Sequence, residues 1–323
     1  MIKEIFKMLK SIKKELGKII NVNNLFTKKN KSNPSKDVSV DDYWGTHTVN
    51  SVPFESASQS FEYLEWRFNQ YPKFKELMDL YGDHKDQTVL DYGCGPGNDL
   101  VGFLTSTSAA KVIGVDISSK ALNLSKQRLN LHQVDPQRFE LIQTSDSSSV
   151  ISLPDSSIDY IYCEGVLHHT SYPEELLKEF FRILKPNSNS VIMVYNRDSL
   201  WFHLYTAYIK RIIENRFLDI DIETAFSKNT DGENCPISRC YHSDTFVNMC
   251  ESAGFETDFV GGYLSLHELN CLKEYKELAI SDPRLGEEHR NFLANLTVGE
   301  LGYPMFQGKH AGIGGVYKLS KYN

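Results

Sequence analysis

One segment constrains the fold of this 323-residue chain more than any other: Val89–Asn98, with the sequence VLDYGCGPGN. Its apolar start is typical of a buried β-strand, and the Gly-x-Gly-x-Gly that follows predicts a tight turn leading into a helix. Glycines at such a turn let a ligand approach backbone amides with no side chain in the way. The segment therefore predicts a ligand-binding loop of the kind that nucleotide-binding α/β folds share.

Two residues of this segment, Asp91 and Asn98, narrow the choice of ligand. A dinucleotide-binding loop has the pattern Gly-x-Gly-x-x-Gly, and Asn98 stands where its third glycine would be. Asp91 would bring a carboxylate close to a pyrophosphate, which is repulsive, whereas it suits a ligand that carries positive charge. No Gly-Lys-Ser/Thr follows the turn, which excludes a P-loop. The loop therefore favours a cationic ligand over a polyphosphate.

Two further predicted strands also end in acidic residues. The first, Lys111–Val115, leads to Asp116, 25 residues after Asp91, and the second leads to Asp146. In doubly wound folds, an acid about 20 residues beyond the glycines holds the ribose hydroxyls of the ligand. Three strands that end in acids, separated by segments of helix length, predict one shared ligand crevice.

Strands and helices alternate along the middle of the chain. Strands are predicted near residues 88–92, 111–115, 139–143, 158–163 and 190–195. This alternation is typical of a parallel sheet with helices on both faces. Residues 255–264 and 314–320 are predicted as the last two strands.

On these residues the chain resembles the class I S-adenosylmethionine-dependent methyltransferases, in particular the small-molecule, methyltransferase type 11-like group. The resemblance rests on the glycine loop, Asp116, Asp146, the segment 153–169 and the sequence RILKP at 182–186. The family usually has two glycines after that proline, where this chain has asparagine and serine. The resemblance implies a Rossmann-like, doubly wound, mostly parallel seven-stranded sheet. It also implies antiparallel last strands, an N-terminal helical lid and an aromatic helical insertion.

The resemblance also implies S-adenosylmethionine as the cofactor, with eight contact residues: Asp91, Gly93, Gly95, Gly97, Asp116, Ile117, Asp146 and Glu164. By that resemblance, the glycines would hold the methionine part and Asp91 would order their loop. Asp116 would bind both ribose hydroxyls, Ile117 would pack against adenine, and Asp146 would accept from the adenine amino group. The backbone at Glu164 would face the sulfonium.

The catalytic candidates are His168 and His169, which follow the carboxyl end of a predicted strand. Methyl transfer is an in-line displacement in which positioning supplies much of the rate, so nitrogen or carbon acceptors need little else. An alcohol acceptor benefits from a general base, most often histidine. Candidates for the acceptor pocket come from the N-terminal lid, the end of the strand predicted at 190–195 and the variable segments after it: Tyr43, Trp44, Tyr195, Asn196, His203, Tyr205 and Tyr241. Packing in the core is the alternative role for His203, Tyr205 and Tyr241, which lie in the variable aromatic segments.

The six cysteines lack the paired short spacing of a zinc site, and two of them fall in the loop and strand just described. A reduced cytosol and no metal site are therefore expected. Cys235, Cys240 and Cys250 could hold a soft metal, but scattered buried thiols are the simpler interpretation.

The first 36 residues differ in charge from the rest of the chain. They contain ten lysines and two glutamates and so have a net charge of +8. Because the whole chain has a net charge of −7, the remaining residues carry −15. An acidic body argues against a nucleic-acid substrate. Apolar residues spaced by three and four over residues 2–19 predict an amphipathic helix with lysines on its polar side. It could lie on anionic lipid at the inner face of the membrane, self-associate, or pack on its own domain.

Composition divides the chain into five segments. They are a basic helix and linker (1–36), a helical lid (37–82), the cofactor-binding core (83–197), an insertion that supplies the acceptor pocket (198–253), and closing strands and helices (254–323). We expect a cytoplasmic methyltransferase that acts on a small molecule, with lipid-linked, glycan and aromatic acceptors as candidates. An NAD(P)-dependent oxidoreductase and a non-catalytic cofactor-binding or scaffold protein are the alternatives.

Overall fold

The computed structural model describes residues 38–49 and 52–322. The basic helix and linker predicted for residues 1–36 lie outside the described residues. Membrane contact and self-association through residues 1–20 therefore stay predictions. In the part of the chain that is described, no helix combines the length and the apolar character needed to cross a bilayer.

Ten strands are described, and seven of them form the main sheet. The strands are β1 Thr88–Tyr92, β2 Lys111–Asp116, β3 Phe139–Gln143, β4 Ile158–Glu164, β5 Leu184–Tyr195, β6 Glu256–Tyr263, β7 Thr297–Val298, β8 Pro304–Phe306, β9 Lys309–His310 and β10 Gly314–Lys321. The main sheet has the order β3-β2-β1-β4-β5-β10-β6, and β7, β8 and β9 form a small second sheet.

The predicted fold class, a mostly parallel seven-stranded sheet with an antiparallel last strand, is confirmed. Strands β1 to β5 pair in parallel, and β10 is antiparallel to both of its neighbours, β5 and β6. The expectation that both closing strands are antiparallel to the others was wrong for β6. Because β10 lies between β5 and β6 and opposes each, β6 runs in the same direction as β5.

Strand β1 is the middle one of the five parallel strands β3-β2-β1-β4-β5. It pairs with β2 on one side and β4 on the other, and Val89 and Leu90 are fully buried. Strands of a parallel sheet that is covered on both faces are mostly apolar, which explains Val89 and Leu90. The order of the strands reverses between β1 and β4. Ligands of open α/β sheets bind in the crevice at such a point, beyond the carboxyl ends of the strands.

Ten α-helices are described: α1 Val40–Thr46, α2 Ala57–Gln70, α3 Phe74–Leu77, α4 Asn98–Ser106, α5 Ser119–Leu131, α6 Pro173–Ile183, α7 Ile222–Thr230, α8 Ser243–Ser252, α9 Leu266–Ser281 and α10 Glu287–Ala294. Serine side chains cap several of them: Ser39, Ser56 and Ser118 each accept a hydrogen bond from a backbone N–H in the first turn of α1, α2 and α5. Such a cap contributes about 1 kcal/mol.

The two faces of the sheet bury separate apolar clusters. On one face, Leu100 and Phe103 of α4 pack with residues of β1 and β2, and on the other, Phe180 of α6 and Phe246 of α8 pack with β4 and β5. All four side chains are fully buried. Burying each contributes roughly 1.5–3 kcal/mol. The clusters hold the sheet rigid beneath the crevice.

The predicted aromatic insertion forms a π-helix, Trp201–Ile213. It packs against α9 and α10 in a third apolar cluster, which includes Leu204, Tyr208 and Phe292. The nearby small sheet was not predicted, because strands of two or three residues are too short to show an alternating pattern.

Candidate functional site

The glycine loop between β1 and α4 has the backbone conformation that its sequence predicts. Gly93, Gly95 and Gly97 adopt φ angles of +79°, +52° and +81°, in the left-handed region that favours glycine. A Cβ atom at Gly93 would lie 2.0 Å from Val166 Cγ2, and one at Gly97 would lie 2.9 Å from Ser125 Oγ, whereas one at Gly95 would meet no atom of the described residues within 4 Å. The outer glycines therefore pack against the protein, and Gly95 faces open space.

Asp91, which precedes this loop, is a buried carboxylate with an unused oxygen. Its side chain is 3% exposed, and Oδ2 has no hydrogen-bond partner among the described residues. Burial, together with Asp99 and Glu164, raises the pKa of Asp91 well above its ordinary value. A buried acceptor without a partner destabilises a fold by about 1–3 kcal/mol. A ligand that brings a donor or a positive charge to Oδ2 would remove this cost.

Asp116, at the end of β2, holds the glycine loop in place. Its Oδ2 accepts from the backbone N–H of Gly95 and its Oδ1 from that of Ser118, both at 2.8 Å. Burial raises the pKa of Asp116, and these hydrogen bonds oppose the rise. The loop-ordering role expected of Asp91 is thus performed here by Asp116. Each carboxylate oxygen has a further lone pair, so contact of Asp116 with ribose hydroxyls stays a prediction. Ile117 follows Asp116 and is half-buried.

Asp146, after β3, joins two neighbouring segments. Its carboxylate accepts from the backbone N–H of Ser171 at 2.9 Å and from the Ser171 hydroxyl. The backbone N–H of Asp146 donates to Asp41 of α1 at 3.0 Å, and Ser145 Oγ donates to the same side chain. These bonds attach α1 to the loop after β3. Contact of Asp146 with adenine stays a prediction.

A buried ion-pair cluster lies beside the glycine loop, and sequence reasoning missed most of it. Arg67 of α2 donates to both oxygens of Asp99 at 2.9 and 3.0 Å, and to Glu164 at 3.0 Å. Glu164 also accepts from Tyr263 Oη at 2.8 Å. The signal that could have revealed the cluster is the position of Arg67, three residues after the buried Leu64 and on the same face of the helix.

The charges of this cluster do not balance. It contains three carboxylates, Asp91, Asp99 and Glu164, and one guanidinium, Arg67. Burial raises the pKa of Glu164, and Arg67 opposes the rise. A crevice with more acidic than basic groups beside the glycine loop suits a cationic ligand, which favours the ionised form of these acids and agrees with the interpretation of Asp91 from the sequence.

His168 and His169 lie in a short 3₁₀ turn, Leu167–His169, just after β4. His168 is fully buried, and neither of its ring nitrogens has a partner among the described residues. Its ring packs against that of Tyr195, with centroids 3.8 Å apart. Burial lowers the pKa of His168 well below its ordinary value. His168 thus has two buried ring nitrogens without a partner among the described residues.

His169 is fixed by a backbone contact. Its Nδ1 lies 2.8 Å from the carbonyl oxygen of Ile237, which can only accept, so Nδ1 donates and Nε2 carries the lone pair. Burial lowers the pKa of His169, while Asp231 opposes the decrease. The ring lies 4.7 Å from that of Trp44.

Asp231 was not among the site residues predicted from the sequence, but it hydrogen-bonds to residues that were predicted to line the pocket for the methyl acceptor. Its carboxylate accepts from Tyr195 Oη at 2.8 Å and from Ser238 Oγ at 2.6 Å, and its backbone oxygen accepts from the hydroxyl of Tyr43. Trp44 Nε1 is buried without a partner among the described residues. Tyr43, Trp44, His168, His169 and Tyr195 therefore come together. The sequence did contain a signal, since Asp231 is an acid within the polar loop after α7.

The remaining pocket candidates contact other parts of the molecule. Asn196 donates to the carbonyl oxygens of Asp198 and Gly312, which anchors the end of β5. Tyr241 packs against Phe246 in the apolar core. The other two candidates lie on the π-helix: His203 contacts His289 and Phe292 of α10, and Tyr205 contacts His267 of α9. Roles of these four residues in acceptor binding stay predictions.

Comparison with known proteins gives consistent matches. A family model described as a methyltransferase domain matches residues 63–258. The ubiquinone/menaquinone biosynthesis C-methyltransferase UbiE of Salmonella paratyphi B is 26% identical over 198 residues, 59% of this chain and 76% of that protein. The tRNA U34 carboxymethyltransferase of Campylobacter jejuni is 29% identical over 134 residues, 41% of this chain and 43% of that protein.

Solved structures support the fold. A chain of the complex that contains the Haloferax volcanii Trm112 methyltransferase activator matches with a TM-score of 0.51 at 12% identity, over 89% of this chain and 99% of that chain.

Three other curated relatives, at 29–30% identity, are matched over only 34% to 61% of their own lengths.

Proposed function

Because the chain belongs to the class I S-adenosylmethionine-dependent methyltransferases, we propose that it binds this cofactor at the glycine loop and methylates a small molecule. The acceptor would lie beside His168 and Tyr195. One observation carries the cofactor assignment: buried Asp91 has an unused carboxylate oxygen next to a loop whose middle glycine, Gly95, faces open space. An oxygen in this state suits the positively charged methionine end of the cofactor.

The residues around the loop fit the rest of such a cofactor. Gly93, Gly95 and Gly97 would hold its methionine part. Asp116 has lone pairs left for the ribose hydroxyls, and Ile117 follows it as an apolar surface for the base. Asp146 would accept from the adenine amino group, and the backbone at Glu164 would face the sulfonium. When bound, the cofactor supplies an electrophilic methyl group.

His168 is proposed to contact the acceptor. Both of its ring nitrogens are buried and unpaired, so it can accept a hydrogen bond from an acceptor hydroxyl or amine and orient the nucleophilic atom. Tyr195 supports the imidazole by ring packing, and Asp231 in turn fixes Tyr195. Residues that only position an acceptor can supply much of the rate of an in-line displacement.

The proposed acceptor class is a small molecule with a flat or apolar part. Trp44, Tyr195 and His168 supply aromatic surfaces at this position, which supports aromatic or lipid-linked acceptors more than polar ones. The net charge of −15 over residues 37–323 disfavours a nucleic acid. The matched relatives include a C-methyltransferase and a tRNA-modifying enzyme, so they do not specify the acceptor.

Calorimetric titration of the full chain tests the cofactor site. We expect S-adenosylmethionine and its demethylated product to bind and NAD not to bind. Asp91→Asn should weaken binding about 10- to 100-fold, because a hydrogen bond to a charged group is worth about 1.5–3 kcal/mol.

The matched control is Asp258→Asn, which removes an exposed carboxylate from β6 of the same sheet. Equal affinity of the two variants, or tight binding of NAD alone, would contradict the proposal.

A further inference from the structure

Three side chains of the type that bind transition metals converge beside the proposed acceptor position. They are His169, Asp231 and Cys235, whose Nε2, carboxylate oxygen and Sγ atoms all lie within 4.8 Å of one another. His169 is buried and the other two are half-buried. They come from distant parts of the chain, the turn after β4 and the loop after α7, so the fold itself creates the cluster.

His169 is oriented as a metal ligand is. Its Nδ1–H donates to the carbonyl oxygen of Ile237 at 2.8 Å, which leaves the Nε2 lone pair directed into the cluster. Metal-binding histidines almost always donate their other ring N–H to a carbonyl or carboxylate, which fixes the ring and the tautomer.

Asp231 is held by neutral donors. Its oxygens accept from the hydroxyls of Tyr195 and Ser238, and Oδ1 lies 3.7 Å from His169 Nε2. Within residues 38–49 and 52–322, no lysine or arginine forms an ion pair with it. A carboxylate oxygen and a nitrogen lone pair that face each other repel unless a cation lies between them. The carboxylate oxygen and the imidazole nitrogen are therefore potential metal ligands, and no basic side chain of the described residues pairs with Asp231.

We propose that His169, Asp231 and Cys235 form a zinc site. Thiolate and imidazole ligands select zinc over magnesium and calcium, which prefer oxygen ligands. Zinc binds nitrogen at about 2.0–2.1 Å, oxygen at about 2.0–2.2 Å and sulfur at about 2.3 Å, so a nitrogen and an oxygen ligand of a tetrahedral site lie about 3.3–3.5 Å apart. Nε2 and Oδ1 are 3.7 Å apart, so a small side-chain shift would bring both within bonding distance of one ion. The Sγ of Cys235 lies 3.3 Å from the Ile237 carbonyl oxygen, and it would leave this contact to bind the ion.

Three protein ligands leave one coordination position open. Catalytic zinc sites keep such a position for water or substrate, whereas structural sites fill all four with protein. At this place in the molecule the open position is available to a heteroatom of a small ligand. The proposal rests on the geometry of these three residues and does not depend on methyl transfer.

Metal analysis of the purified full chain tests the site. After equilibration with zinc and removal of unbound ion, we expect a single zinc ion per chain by mass spectrometry. Cobalt substituted for zinc should give a thiolate-to-metal absorption band. Cys235→Ala should lose the band and weaken zinc binding at least about 100-fold, the upper end of the effect of losing an outer-shell partner.

Cys240→Ala is the matched control, since Cys240 is half-buried in the same loop and outside the cluster. It should keep both the band and the affinity. Substoichiometric zinc in the wild-type chain, or equal zinc affinity of the two variants, would overturn the proposal.

A second measurement needs no variant and therefore does not depend on whether one folds. Alkylation of the native chain, followed by peptide mass spectrometry, reports the reactivity of Cys235 and Cys240 separately. Zinc should protect Cys235 and leave Cys240 unchanged, and equal labelling of Cys235 with and without zinc would refute the site. Titration with S-adenosylmethionine in the same samples keeps this result distinct from the test of the cofactor site.

Discussion

The two sides of the crevice are built in different ways. On the cofactor side, Gly93, Gly95 and Gly97 belong to a loop whose backbone N–H groups donate to the Val115 carbonyl oxygen and to the Asp116 carboxylate, both at the end of the adjacent strand. On the acceptor side, side chains from a short turn, the end of β5 and the loop after α7 meet around Asp231. The first surface is thus a loop positioned through its own backbone N–H groups, whereas the second is assembled from the side chains of distant segments. We therefore expect substitutions to act differently on the two.

One element contacts both sides. Helix α1 places Asp41 against the loop after β3, where it accepts from Ser145 and Asp146, and it places Tyr43 and Trp44 against Asp231 and His169. The predicted lid is therefore positioned to couple the two sides. If a substitution on one side leaves ligand binding on the other side unchanged, the two sides act independently. If it changes binding on both sides, α1 couples them.

The largest effect is expected at Arg67, on the cofactor side. Arg67→Met would leave Asp99 and Glu164 buried without their cation, and breaking a buried pair in this way costs about 3–5 kcal/mol. We expect the free energy of unfolding in urea to fall by that amount and cofactor affinity to fall with it. Arg67→Lys, which keeps the charge, should recover part of both. If Arg67→Met is as stable as the wild type, the ion-pair cluster does not support the loop.

A pair of glycine substitutions separates folding from binding. Gly93→Ala should cost about 2–4 kcal/mol of stability, because its Cβ would overlap Val166 and its φ is left-handed. The methyl group of Gly95→Ala meets no atom in the described part of the chain, so this substitution should cost only about 1 kcal/mol. Its methyl group nevertheless enters the proposed cofactor space, so cofactor affinity should be lost. Urea unfolding and calorimetry on both variants measure this. Unchanged affinity in Gly95→Ala would remove the loop from the site.

The acceptor side is tested at His168. His168→Ala should lower turnover of a methyl acceptor about 100-fold, within the range found for general acid–base groups, while leaving cofactor affinity unchanged. Tyr275→Phe is the comparison, because Tyr275 lies on α9 and packs against Tyr208 of the π-helix. It should keep full turnover. A result with the two effects reversed would place the acceptor along the π-helix.

The same contrast explains which parts of the molecule could be predicted from its sequence. The glycine loop and the acids at the end of β2 and after β3 could be predicted because each is a local pattern in the sequence. Parallel strands then bring their carboxyl ends together at one edge of the sheet. Even a departure from the family pattern is accommodated locally. Asn187, which stands where the family usually has glycine, adopts φ of +58°, a left-handed conformation that asparagine tolerates better than most residues.

What could not be predicted depends on tertiary contacts between distant residues. Arg67 reaches Asp99 and Glu164 from another helix, and Asp231 meets His169 only in the folded chain. No spacing in the sequence encodes these distances, and the cysteine pattern alone predicted no metal site. The direction of β6 was also wrongly predicted, because apolar periodicity identifies a strand and not its orientation.

The smallest effect is a pH dependence on the cofactor side, and it concerns Asp91. Burial and the neighbouring carboxylates raise the pKa of this group in the folded protein. When the pKa of a carboxyl group is higher in the folded than in the unfolded protein, the group contributes its full stability at pH values below the unfolded pKa. This contribution is lost as the pH rises through the folded pKa. A cationic ligand has the opposite preference, since it favours the ionised form. Affinity for the cofactor should therefore increase as pH rises through the raised pKa, by at most about tenfold per unit for one proton.

Calorimetry in buffers of different ionisation enthalpy would measure the same linkage as proton release on binding. Asp91→Asn should abolish both the proton release and the pH dependence that it causes, whereas Asp258→Asn, whose carboxylate is exposed, should keep both. Because His168 and His169 lie on the acceptor side, they should not contribute to this release. If proton release persists in Asp91→Asn, the titrating group lies elsewhere, and the two sides of the crevice are coupled more closely than their separate construction indicates.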